Sequence, residues 1–156
     1  MKTPSLSPQK FCIVTLLFLG AAVLSHTQTA AELERVLGLK TVSCEDAAWF
    51  ILSATAALPP DSSPAEAYNF ARENKWLPKK TRAEGAITFG GVSLLIMKSL
   101  SLKGGLMYTL FPGPRYSYRE LSRLQILQGR SYSTAQISGE TLLRILSRAL
   151  DYENEL

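Results

Sequence analysis

Histidine and cysteine are nearly missing from this chain of 156 residues, which holds one histidine, His26, and two cysteines, Cys12 and Cys44. Zinc sites are built from three or four such ligands, so the usual sets cannot be assembled, and no metal or other cofactor is expected. A Ser-His-Asp set is missing for the same reason. An excess of charge of one sign is also lacking. The formal charge is +4, and Lys2 and Lys10 fall in the N-terminal leader, leaving fifteen basic against thirteen acidic groups. Lys79, Lys80 and Arg82 form the one tight basic cluster, which reads as a solvated loop, so no nucleic-acid partner is expected. The Gly-Gly pairs at 90–91 and 104–105 lack the Lys and Ser/Thr of a phosphate-binding loop.

Long apolar runs are scarce, with one clear instance at residues 11–24. It follows a basic, acid-free stretch and precedes small residues, the design of a secretory signal peptide. Cleavage is expected after Ser25, with Thr29-Ala30-Ala31 as a second choice. Fourteen residues rise about 21 Å as a helix, short of a hydrocarbon core of roughly 30 Å, so an uncleaved N-terminal anchor is the alternative. Membrane association is therefore expected only through the leader, if it stays attached. Cys12 lies inside the apolar run rather than after a lipobox, which argues against lipid attachment. Cleavage leaves Cys44 with no disulfide partner. It follows Ser43 at a helix start, where the dipole lowers a thiol pKa. No histidine accompanies it, so a buried structural cysteine is expected.

What the chain does have is internal similarity. ITFGGVSLLIMKSL at 87–100 returns fifty positions later as ISGETLLRILSRAL at 137–150, and VSCEDAAWFILSAT at 42–55 is a degraded third copy. Each copy opens with an apolar residue and then Ser or Thr, the grammar of a helix N-terminus. Ser43, Thr88 and Ser138 are the expected N-caps, with Ile87/Val92 and Ile137/Leu142 as hydrophobic staples. The same shift sets Tyr68 on Tyr118, Ala71 on Leu121, Trp76 on Ile126 and Leu77 on Leu127. A rival shift of fifty-four aligns Ser63-Pro64-Ala65-Glu66 with Ser117-Tyr118-Arg119-Glu120, making Glu66 and Glu120 capping residues, but loses the helices that follow. The fold class expected is mostly α, a helical repeat of about two and a half helix-loop-helix units packed as one small bundle. The domain organisation is a signal peptide at 1–25, a short helix and linker at 26–41, and a repeat domain at 42–152 with units about 42–58, 64–102 and 114–150.

Within that frame, residues 30–40 read as a short helix carrying Leu33, Val36 and Leu37 on one face. Pro59 to Pro64 breaks the chain, with Pro64 at the first helical position and Glu66 in a capping box. LMYTLF at 106–111, bracketed by Gly104-Gly105 and Pro112-Gly113-Pro114, suits a strand, a helical turn or an apolar plug. A plug or short strand covering the bundle is favoured, since an exposed run of this kind invites aggregation. In the last copy Ile137, Leu142, Ile145, Leu146 and Leu150 share one helical face and are expected to be buried, with Arg144 and Arg148 outward.

The run YRELSRLQILQG followed by ISGETLLRILSRAL resembles the S-layer homology (SLH) domain, and the likeness covers about 42–150. The resemblance implies an exported protein that holds cell-wall polymers in grooves between three helical units. The family signature after its Ile is Thr-Arg-Ala-Glu, whereas the matching positions read Thr88-Phe89-Gly90-Gly91 and Ser138-Gly139-Glu140-Thr141. The family's wall-binding side chains are therefore not carried over. Thr81-Arg82-Ala83-Glu84 precedes Ile87 out of register, as a coincidence or an alternative helix start.

The expected function is an exported, non-enzymatic binding or scaffolding domain of the periplasm or cell envelope, with a cell-wall polymer or envelope protein as partner. The alternative is a small carboxylate-dependent envelope hydrolase, for which nothing in the sequence sets a pair of carboxylates at glycosidase separation. Aromatic residues and arginines gather in the second half, and the expected ligand-binding residues are Arg115, Arg119, Arg130, Tyr116 and Tyr132, able to stack on sugars and pair with anions. A cleft with two facing carboxylates favours the hydrolase; a groove lined by aromatics and arginines favours binding.

Overall fold

The computed structural model describes residues 30–59, 61–129 and 131–155. The leader, its cleavage site, His26, Cys12 and Arg130 lie outside the described residues. The chain divides into two units, residues 1–36 and 37–156. A helix, α1, covers 30–37, with Glu32 and Arg35 paired at 2.7 Å. Its expected apolar face divides: Val36 is fully buried, while Leu33 and Leu37 are exposed.

The described residues hold seven helices and no strand, and those of the second unit form a small, mostly helical bundle. After α1 come α2 (Cys44–Ala54), α3 (Pro64–Glu73), α4 (Phe89–Ser99), α5 (Leu106–Leu110), α6 (Pro114–Arg123) and α7 (Gly139–Asn154). Four of these starts are capped by the side chains that the sequence offers. Ser43, Thr88 and Ser138 accept from the backbone N–H of Asp46, Gly91 and Thr141 at 3.0, 3.2 and 3.3 Å. Ser63 and Glu66 close a full capping box with Pro64 at the first position. Each cap satisfies an N–H that the helix leaves orphaned.

Helix α6 starts differently from the expectation for Glu120. Its N-cap is Gly113, which makes no side-chain cap, and Glu120 lies inside the helix bonded to Arg123 at 3.1 Å. Pro64 and Pro114, fifty residues apart, begin helices of equal length, so the capping role of Glu120 is withdrawn. Fifty residues also separate two tyrosine bonds: Tyr68 donates to the Thr81 carbonyl at 3.0 Å and Tyr118 to the Ser131 carbonyl at 2.6 Å. Residues 83–84 form a turn rather than a helix start.

The helix ends were not legible in the sequence. Ala56, Lys75, Ser101 and Gln125 all take positive φ, between 50 and 59°, just beyond α2, α3, α4 and α6. Each closes a Schellman motif, in which two backbone N–H groups turn back to the last carbonyls. In α6 these are Gln125 to Ser122 at 3.2 Å and Ile126 to Leu121 at 3.0 Å. Left-handed backbone costs a non-glycine residue roughly 1–2 kcal/mol, and burial of Leu102 and Ile126 immediately after the turns opposes that cost.

The core centres on α4, whose residues from Gly90 to Met97 are all buried. It packs on α6, α2 and α7, while α2 packs on α3. The segments that lead into α2, α4 and α7 meet beside it: the Ile87 N–H donates to the Val42 carbonyl at 2.9 Å, and the Val42 N–H to the Ile137 carbonyl at 3.0 Å. Val42, Ile87 and Ile137 are fully buried at this junction. In α7, Leu142, Ile145 and Leu146 are buried and Arg144 is exposed, as expected; Leu150 and Arg148 are half-buried.

The segment 106–111 corrects the expectation of a plug or short strand. It is the single helical turn α5, and Leu106, Met107, Leu110 and Phe111 are 70, 52, 58 and 63% exposed. Only Tyr108 reaches inward. Its ring lies on the backbone of Gly104, where an added Cβ would stand 2.3 Å from the ring. Gly104, lacking a Cβ, lets the chain turn close enough for that contact, while the remaining apolar side chains of the segment face solvent.

Candidate functional site

The expected ligand residues do not converge on one cleft. Arg115 and Arg119 stand one turn apart on α6, both exposed, while Tyr116 is half-buried against the core. Tyr132 is 80% exposed in the loop before α7. That loop and the first turn of α6 meet at Gly90, whose N–H donates to the Ser133 carbonyl at 2.8 Å. A Cβ on Gly90 would lie 2.9 Å from that oxygen and 3.0 Å from Pro114 Cβ.

A partly open cleft of about 240 Å³ has Phe89 in its lining. Leu127, Gln128, Gly129 and Ser131 line it together with Thr141, Arg144, Ile145 and Arg148 of α7. Phe89 is held edge-on by Tyr118, ring centroids 6.4 Å apart. Arg144 bonds Glu140 one turn earlier, which orients its guanidinium and leaves further N–H groups. Arg148, half-buried, borders this cleft and a shallower one that holds Asp151 and Glu155. No carboxylate lines the first cleft among the described residues. Two arginine forks, an aromatic wall and an amide suit a ligand with sugar rings and anionic groups. Sequence periodicity assigned these arginines only to the outer face of α7. The signal that points to them is their i, i+4 spacing one turn beyond Thr141.

A larger cleft of about 500 Å³ carries the opposite charge, with Asp61, Glu66 and Glu73 beside Asn69 and Phe70. Glu66 accepts from the Ser63 N–H at 2.7 Å and from its hydroxyl at 2.9 Å, and these bonds lower its pKa. A general acid needs the reverse shift, so Glu66 serves here as a cap. Cys44 is buried, as expected, and burial pushes its thiol up to about 11. A thiol of that pKa is a poor nucleophile at neutral pH. Among the described residues no group of His, Cys, Asp or Glu is placed to hold a metal ion, and no helix is long and apolar enough to cross a membrane.

No protein-family model, curated protein or solved structure matches the chain.

Proposed function

We propose that this chain is an exported, non-enzymatic domain of the bacterial cell envelope, an SLH-like helical repeat preceded by a signal peptide, that binds an anionic cell-wall polymer. The observation that carries the reading is the cleft lined by Arg144 and Arg148 of α7 together with Gln128, Ser131 and Phe89. Arginine forks recognise carboxylate or phosphate in two-point fashion, and the ring offers a sugar a stacking face. The repeat reading draws support from the caps at Ser43, Thr88 and Ser138 and from the two tyrosine bonds fifty residues apart. Arg115 and Arg119 form a second cationic edge on α6, and Arg130 stands in sequence between two residues of the cleft.

The test is a pull-down of the full chain on purified wall polymer and on envelope extract, side by side. Arg144→Ala with Arg148→Ala is expected to abolish polymer retention while melting within a few degrees of the parent. Arg115→Ala with Arg119→Ala is expected to weaken it less. Full retention by the first variant overturns the site. The second reading, a carboxylate-dependent envelope hydrolase, draws on the cleft of Asp61, Glu66 and Glu73. It is favoured if incubation with the polymer releases soluble fragments and Asp61→Asn or Glu73→Gln stops the release.

A further inference from the structure

The exposed side chains of α5 belong to a region with an unusual charge record. From Gly85 to Arg119 the chain holds Lys98, Lys103, Arg115 and Arg119 and no carboxylate at all. Lys98 and Lys103 line a cleft of about 420 Å³ whose far wall is Tyr108, Thr109 and Pro112 of the α5 knuckle. Lys98 Nζ lies 5.8 Å from the centroid of the Tyr108 ring, which holds this cation beside the knuckle. The carboxylate that comes near is Glu120, beside Gly105, and it is largely covered and bonded to Arg123. Exposed apolar surface and cations thus adjoin on one edge of the bundle, with the local carboxylate already engaged.

We propose that this edge docks the folded domain onto an anionic phospholipid bilayer. Leu106, Met107, Leu110 and Phe111 enter the headgroup and acyl boundary, and Lys98 and Lys103 hold headgroup phosphates in the cleft beside them. A short knuckle that projects four apolar side chains needs a soft apolar phase rather than a matched pocket, and lysines at its flank add attraction to anionic lipid. A second copy is a poorer occupant, because a two-fold pairing of the knuckles sets each copy's lysines and Arg115 against those of the other. The attachment is separate from the leader and from the polymer cleft on α7.

The experiment uses the full chain with Phe111→Trp as a local reporter, mixed with vesicles of phosphatidylcholine alone or with phosphatidylglycerol. A leader that inserts by itself brings the chain to vesicles yet leaves the indole at this position in water. Docking as proposed shifts its emission to the blue with the anionic vesicles and lets brominated acyl chains quench it. Lys98→Gln with Lys103→Gln is expected to lower anionic-vesicle partitioning about thirtyfold, from roughly fivefold per cation. An indole that stays in water with anionic vesicles overturns the proposal, as does equal partitioning into both vesicle types. Concentration-dependent shielding without lipid also overturns it, in favour of a second copy. Leu106→Trp, likewise at an exposed position, repeats the measurement if the first variant fails to fold.

Discussion

Leu146→Ala probes whether α7 is a structural wall of the bundle or a loosely attached arm. Leu146 is 5% exposed and lies in the same core cluster as Leu142, Ile145 and Ala149. The substitution deletes three carbons, which at about 0.8 kcal/mol per buried carbon removes roughly 2.4 kcal/mol of transfer energy. A cavity adds to this when its walls cannot collapse. Packing of α7 on α4, with the Ile137 carbonyl held by Val42, opposes collapse, so the total expected is about 3 kcal/mol. For a unit of this size that is a drop in Tm of about 10 °C by circular dichroism or calorimetry. Leu150→Ala, at a half-buried site on the same helix, is the control and should cost about half as much. A Leu146→Ala variant that melts within two degrees of the parent, or no lower than the Leu150→Ala control, refutes the packing argument.

Two further outcomes test backbone and titration. Gln125→Gly relieves a left-handed residue at φ 58°, and after the entropy cost of glycine a gain of about 0.5–1 kcal/mol is expected in urea titration, with Lys75→Gly behaving alike. Cys44 is raised from 9.0 to about 11, so its folded form keeps a proton that the unfolded chain sheds; stability is complete below pH 9 and falls as pH climbs toward 11. The loss is expected to approach about 2–3 kcal/mol. Burial raises Tyr108 as well, so the Cys44 share is read as the part of the alkaline loss that disappears in Cys44→Ala.

Helix starts were legible in the sequence because capping is local chemistry. An oxygen on Ser43, Ser63, Thr88 or Ser138 reaches an N–H three residues on, and no distant contact is needed. Helix ends were hidden because the familiar signal is glycine, and this chain places Ala56, Lys75, Ser101 and Gln125 in the left-handed positions instead. Tertiary burial decides there, through residues such as Leu102 and Ile126 that the turn delivers to the core. The α5 segment misled for a related reason. Its apolar composition implied a cover, but Tyr108 alone turns inward, onto Gly104, while the other four side chains face solvent.

The candidate site was partly hidden because its cleft is lined by a loop together with a helix, which no periodicity encodes. On the proposed function, the pair Gly90-Gly91 bears on where binding lies. On the proposed repeat reading Gly91 falls where the SLH signature carries its Glu, Gly90 where it carries Ala and Phe89 where it carries Arg. In this chain a Cβ on Gly90 would meet the Ser133 carbonyl and Pro114, and one on Gly91 would lie 2.9 Å from Ile87 Cγ1. At Gly90 the space is filled by Pro114 and the Ser133 carbonyl, and at Gly91 by the Ile87 side chain, so neither position has room for a longer side chain without a shift of its neighbours. Phe89 is the last residue of that turn to keep a large side chain, and beyond it the cleft with Arg144 and Arg148 remains open. On the proposed function, close packing at Gly90 and Gly91 leaves the cations of this cleft on α7, and polymer retention is expected to follow the α7 arginines before those of α6.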